Sequence, residues 1–485
     1  MLKKGYINIL SSDEVYDIHI ATLEVLERTG VVVQDKRALK LLDNAGAIID
    51  FKRETAKIPS YLIQEAVAKT PKSFVWHARN PKNNIRIGGA PTKFGPGGTC
   101  KNIIDMETGE CRPPTEEDAV KLVRLIDALK NIHIVYPPTR SSHISVSVPE
   151  RRIRGIKRLA MTIKNSSKCL EGGGIEGLKI ASALVGGEEE LLKKPFMAGY
   201  VDPVSPLTHG KEMADVILTS AKFGQPIFMV VMAMAGATAP ATLAGTLVQQ
   251  NAEILSGLLI AHLVNPRAPV IYGSMSCIMD MRTTIASVGC PEQGLISAAA
   301  AQIARYYGIP CSVGAESDSK VPDAQASYEK AMSLMMAVMA GADLMDFFMG
   351  STETYNTTSF EQMIIDNEMA GMSLRSAKGI EVNDETLATE VIDRIGPGGN
   401  YLADKHTVQW FKKERYNPKL SSRETRNVWE RLGSKDIREK ATKQARKILA
   451  EHEPEPIDKT VWKKIETIIK GVEKREMRTL GKIDG

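Results

Sequence analysis

Residues 309–349 read IPCSVGAESDSKVPDAQASYEKAMSLMMAVMAGADLMDFFM, and their reading decides the fold. Pro310–Gly314 is a small, apolar run too short for a helix, and Glu316–Lys320 is a charged turn. Asp323–Ala340 has helical spacing, with Ala324, Tyr328, Ala331, Met332, Met335, Met336, Val338 and Met339 on one face. Gly341 is suited to end that helix, and Leu344–Met349 is apolar again. A helix between two strands implies a parallel, right-handed crossover. The loop leaving the first strand carries Glu316 and Asp318 at the edge where βα architectures bind ligands. Asp318 has a competing role as a cap of the turn.

Working outward, the same rhythm starts near Thr92. Short apolar runs at Lys93–Gly95, His133–Tyr136, Lys168–Leu170, Phe196–Val201, Ile227–Met232, Val270–Gly273, Cys311–Gly314 and Leu344–Phe348 alternate with helical stretches. Helix starts are marked by the capping box Thr115-Glu-Glu-Asp118, by Pro149 and by Pro291. Eight strand–helix units over about 250 residues predict an α/β chain with a (β/α)8 TIM barrel; an open doubly wound sheet is the other arrangement. Before it, helical periods at 12–30, 36–45 and 59–70 and strands at 31–33, 47–51 and 55–58 predict an α+β cap. After Thr407 the chain is charge-dense, with an amphipathic helix at 457–478. The expected division is a cap over 1–90, the barrel over 91–375 and a mainly helical extension over 376–485 that packs on the barrel.

The net charge of +5 is mild for 485 residues and argues against a nucleic-acid binder. The six cysteines form no C-x-x-C, and the eight histidines are scattered without H-E-x-x-H, so no metal site is expected. The N-terminus lacks the apolar core of a signal peptide. The uncharged stretch 224–252 is broken by Pro226, Pro240 and several glutamines, and reads as a buried strand and packed helix. A cytoplasmic homo-oligomer without membrane contact is the expectation.

A barrel mouth built from the segments after each strand would hold the acids Glu171, Asp202, Glu316 and Asp318 with Tyr200, Tyr272 and Tyr355. Only one of the neighbours Phe347 and Phe348 can face inward, and Phe348 is assigned to the site. Acids with aromatic faces suit a cation, each ring contributing roughly 0.5–2 kcal/mol. Gly97, Gly98, Gly172 and Gly173 allow a large planar group to come close. Gly172-Gly-Gly174-Ile-Glu-Gly177 formally matches G-x-G-x-x-G, but the next acids, Glu188–Glu190, follow a helix instead of a second strand. There is no G-x-S-x-G elbow for hydrolysis, and His209 has no evident partner.

Asp202-Pro-Val-Ser-Pro-Leu207, Gly236-Ala-Thr-Ala-Pro240, Thr242-Leu-Ala-Gly245, Asp318-Ser-Lys-Val-Pro-Asp323, Gln325-Ala-Ser-Tyr-Glu329, Ile365-Asp-Asn-Glu368, Gly396-Pro-Gly-Gly399 and His406-Thr407 occur in that order. In this the chain resembles the trimethylamine methyltransferase superfamily, whose members are TIM barrels that move a methyl group from a methylamine to the cobalt of a partner corrinoid protein. The trimethylamine enzymes carry pyrrolysine at a place that aligns near Ala315–Glu316, and none is written here. Members without it resemble demethylases of quaternary amines such as glycine betaine, proline betaine, carnitine or γ-butyrobetaine. The resemblance implies methyl transfer from a glycine betaine-like amine to Co(I), with no cofactor held tightly by the chain and no side chain needed as acid or base. Glu316 becomes the leading substrate-facing group, joined by Glu171, Tyr200, Asp202, His209, Tyr272, Asp318, Phe348 and Tyr355. The four mouth glycines become the corrinoid approach. Arg140, Lys320, His209 or the backbone N–H groups of 97–99 are candidates for a betaine carboxylate. Two other classes fit the residues, a non-catalytic betaine-binding module and a dinucleotide-dependent barrel oxidoreductase.

Overall fold

The computed structural model describes residues 6–140, 147–172 and 174–481. Residues 309–349 form strand Cys311–Val313, a loop, helix Ala324–Ala340 and strand Leu344–Met349. Asp323 caps the helix by accepting from the Ala326 N–H, and Gly341 ends it at φ +96°. The two strands are parallel, with Ser312 opposite Leu344 and Val313 opposite Met345.

Repetition of that unit gives β1 (Lys93–Pro96), β2 (Ile134–Val135), β3 (Cys169–Glu171), β4 (Met197–Val201), β5 (Ile227–Val231), β6 (Val270–Ser274), β7 (Cys311–Val313) and β8 (Leu344–Met349). They pair in parallel in the order β1-β8-β7-β6-β5-β4-β3-β2. The His133 N–H donates to Phe94 O at 2.8 Å and brings the two edges of the sheet, β1 and β2, together. This is the eight-stranded barrel, not the open sheet. Its helices are α1 (Glu116–Ala128), α2 (Val148–Asn165), α3 (Gly174–Val185), α4 (Lys211–Lys222), α5 (Leu243–Val264), α6 (Pro291–Tyr307), α7 (Ala324–Ala340) and α8 (Phe360–Lys378). Helix α5 is long and apolar enough to cross a membrane, but its most apolar stretch is 72% buried within the helical layer.

Strand alternation sorts the core into two layers. Ile134, Cys169, Ala198, Phe228, Ile271 and Leu344 fill the barrel interior. Val135, Leu170, Met197, Met229, Tyr272 and Met345 pack outward among the helices. A hairpin of Phe74–Trp76 and Ile85–Ile87, not anticipated from its short strands, seals the N-terminal end of the barrel. Trp76 is fully buried with its ring 5.6 Å from Phe228, and its Nε1–H donates to Phe196 O at 3.0 Å. Access to the interior is therefore from the C-terminal end. Two late helices brace the outside: Ile437–Glu451 lies on α8 and α1, and Lys459–Leu480 on α2 and α3. The second is tied down by Lys157–Glu473 and Arg475–Glu176 ion pairs at 2.7 and 2.6 Å.

Candidate active site

The site is set by an irregularity in β8. Met345 pairs with Phe94 and Met349 with Pro96, so four steps along β8 span two along β1. The excess is a bulge at Phe347, which sits at φ +53°, a left-handed conformation that non-glycine residues adopt rarely. Its effect is to turn Phe347 toward the barrel interior beside Asp346, which alternation already turns inward. Such backbone strain concentrates where function needs it. A second strained segment faces it, since Glu353, Thr354 and Tyr355 are left-handed in succession.

Phe347 thereby becomes the centre of an aromatic cluster. Its ring centroid lies 6.0 Å from Tyr136, 5.5 Å from Tyr200 and 5.9 Å from Tyr355, the last edge-on. Phe347, Tyr200 and Tyr355 are only half-buried although the strands around them are buried, so their faces border accessible space at the mouth. Below the rings, Asp346 and Glu171 bring their carboxyl groups close enough to act on each other. Tyr136 Oη is 3.4 Å from Asp346 Oδ1; it accepts from the Gly98 N–H and donates to Pro96 O. Burial, with Asp346 adding a like charge, raises Glu171 well above the carboxylate range. Burial raises Asp346 as well, against hydrogen bonds from Phe347 N–H and Tyr136. Burial therefore favours the protonated forms of both acids relative to free carboxylates.

Of the residues expected in the site, Glu171, Tyr200 and Tyr355 converge here. Asp202 lies on the lip, where burial and then Glu253 raise its carboxyl to about 6. Four assignments need correction. Tyr272 faces outward, one strand position from inward-facing Ile271, and accepts from Gln250 Nε2 behind the barrel wall. Phe348 is likewise outside the barrel, because the bulge gives the inward position to Phe347. His209 is fully buried against α5 with Nε2 2.8 Å from Ser256 Oγ, and burial lowers it to about 4. Asp318 is a loop anchor: it accepts from Ser287 Oγ, Val288 N–H, Gly289 N–H and Thr354 Oγ1 at 2.8–3.1 Å. Gly97 and Gly98 are buried beneath Ser351 and against Phe347 and Tyr355, so they permit close packing instead of offering a surface. Gly172 is half-buried, and Gly173 lies outside the described residues.

Glu316 also differs from expectation. It is fully buried, with Oε1 accepting from Ser351 Oγ at 2.6 Å and pairing with Lys330 Nζ at 3.1 Å. Lys330, fully buried on α7, also donates to Asp366 Oδ2 at 2.9 Å and Phe348 O at 2.6 Å. Burial pushes Glu316 up to about 7 against the pull of Lys330. Burial opposes the Lys330 ammonium, but Asp366 and Glu316 outweigh it and raise it. This triad locks the ends of β7 and β8 to α7 and α8, behind the aromatic cluster. Asp346 was missed because it stands inside the apolar run Leu344–Met349; an acid at an inward position of such a run is the signal that marks it.

Asp318→Ala is expected to cost about 2–3 kcal/mol by leaving loop donors unpaired. Urea unfolding measures the loss, and faster hydrogen exchange at Val288 and Gly289 N–H would assign it to this loop.

The chain can now be compared with known proteins. The sequence profile of the trimethylamine methyltransferase (MTTB) family matches residues 2–477. Trimethylamine methyltransferase MttB of Desulfitobacterium hafniense is 38% identical over 471 residues, covering 96% of this chain and 93% of its own. A glycine betaine methyltransferase of Desulfitobacterium hafniense strain Y51 is 35% identical over 474 residues, covering 95% and 96%. Among solved structures, the hydroxylamine complex of MtmB superposes with a TM-score of 0.52 at 14% identity, over 93% of this chain and 96% of that one, a likeness of fold. Motif order, barrel and full-length similarity lead to one conclusion: this chain is a member of the trimethylamine methyltransferase family.

Proposed function

We propose that the protein moves a methyl group from a quaternary ammonium to the Co(I) of a partner corrinoid protein. The observation that carries this reading is the aromatic cluster around Phe347 above the Glu171–Asp346 pair. Rings and carboxylates together are the groups that hold a permanent cation with no N–H to donate. Co(I) brings the electron pair for the new carbon–cobalt bond, so the chain needs no nucleophile of its own.

Its residues then have three tasks. The ring faces and the acid pair orient the ammonium with one methyl toward the open C-terminal mouth, the side from which an acceptor can come in line. Phe347, Tyr200 and Tyr355 displace water from the reacting carbon. The C–N bond breaks with its electron pair staying on nitrogen, and the positive charge there disappears. A site that gripped the cation too hard would stabilise the ground state over the transition state; burial, which favours the neutral form of both acids, moderates that grip. The half-buried Gly172 and the exposed lip around Asp202 leave room for the acceptor to approach.

The test is anaerobic incubation with Co(I) cobalamin and a panel of quaternary amines, followed by absorbance. Growth of the methyl-Co(III) spectrum with at least one amine is expected; no growth with any would refute the reading. Phe347→Leu is expected to weaken cation binding about 3–30-fold, the value of one aromatic face. Calorimetric titration measures this, and an unchanged affinity would remove Phe347 from the cage.

A further inference from the structure

We propose that the site selects an ammonium whose only charge is the ammonium itself, of the choline type, and discriminates against glycine betaine. This rests on the methyl-transfer reading above and narrows its substrate class.

Besides burial, the groups acting on Glu171, Asp346, Tyr136 and Tyr200 are carboxyls, phenols and the N–H groups of Gly98 and Phe347, with no cation among them. Neither Glu171 nor Asp346 forms an ion pair among the described residues. A monocation entering above them neutralises the pair. A betaine adds its own carboxylate, two bonds from nitrogen and beside two acids, in a site where water does not screen the repulsion.

A buried carboxylate needs hydrogen bonds or a positive partner. The Gly98 N–H is already given to Tyr136 Oη at 3.0 Å. Arg140 is exposed, with Nε donating to Thr99 O at 3.2 Å, and Lys320 is exposed, with Nζ donating to Asp318 O at 2.7 Å. His209 is buried behind the wall against Ser256. Lys330 is committed to Glu316 and Asp366.

Glu171 Oε2 and Asp346 Oδ2 are buried and accept no hydrogen bond from a described donor. Choline and glycine betaine share the trimethylammonium head and differ at the end of a short arm. Choline ends in a hydroxyl, which can donate to one of these oxygens; betaine ends in two acceptors, which cannot.

Calorimetric titration of the full chain with choline, tetramethylammonium and glycine betaine tests the proposal, run beside the Co(I) cobalamin assay with the same compounds. Choline is expected to bind about tenfold or more tighter than glycine betaine. In Glu171→Gln the gap is expected to narrow because the acid pair has lost a charge; circular dichroism confirms that the variant is folded. Glycine betaine binding as tightly as choline would overturn the selectivity, and methylation of cobalamin from betaine alone would do so while leaving methyl transfer intact. Choline preference without methyl transfer from any compound would support the selectivity and refute the transfer.

Discussion

Lys330→Met is expected to destabilise the protein by about 3–5 kcal/mol, the usual cost of stranding a buried charge by removing its partner. Among the described residues Lys330 is the one cation touching both Glu316 and Asp366, and all three side chains are fully buried. Without it the two carboxyls face each other across an apolar gap. Asp366 keeps hydrogen bonds from Gly350 N–H and Gln362 Nε2, whereas among the described residues the Glu316 carboxyl keeps only that from Ser351. The loss is expected to depend on pH. Burial already raises Glu316 to about 7, and removing Lys330 raises it further. A carboxyl with a raised folded-state pKa favours folding at low pH, and that contribution disappears as pH rises through the folded value. The defect should therefore be smaller at pH 5.5 than at pH 8 in urea unfolding. Combining Lys330→Met with Glu316→Gln and Asp366→Asn should restore most of the stability, because no buried charge remains unpaired. A single variant as stable as the wild type at both pH values would show that the triad does not hold these elements together.

Asp346→Asn is expected to act in opposite directions on stability and on binding. Burial beside Glu171 disfavours the ionised pair, so the wild-type protein loses stability as pH rises through the range in which the pair gives up its proton. The amide removes one of the two like charges, and the variant should be about 1–3 kcal/mol more stable than wild type at pH 8, with the difference shrinking toward pH 5. Affinity for a quaternary ammonium should fall about 10–100-fold, since a buried charge facing the cation is gone. Thermal unfolding and calorimetry at pH 8 measure the two effects. Higher stability with weaker binding is the pattern of a site strained for function. An unchanged affinity would take Asp346 out of the binding groups.

The barrel was legible because its strands are buried on both faces and read as short apolar runs, while its helices carry their own caps, as at Thr115 and Asp323. Each of the eight strands lies at or within about two residues of its apolar run. The site was less legible, for local reasons. A run such as Leu344–Met349 shows its apolar character but not its parity. The bulge depends on a left-handed phenylalanine that composition does not announce, and it exchanges Phe347 for Phe348 beside Asp346, which alternation already turns inward. The same one-residue parity decides Tyr272 against Ile271. Glu316 and Asp318 looked alike in the turn after β7, yet distant partners separate them. Lys330 and Asp366 claim the first, and the 287–289 loop claims the second. Glu171 and Asp346 have no ion pair among the described residues, and each keeps a buried oxygen without a hydrogen bond, as Glu316 does at Oε2.

The most direct measurement is transfer of a labelled methyl. Choline carrying carbon-13 in its N-methyl groups is incubated with the protein and Co(I) cobalamin, and the corrinoid is examined by carbon NMR. Label in methylcobalamin from the wild-type protein, and much less from Asp346→Asn, is the expected result. Absence of label with choline and with every other quaternary amine offered would contradict methyl transfer at this site.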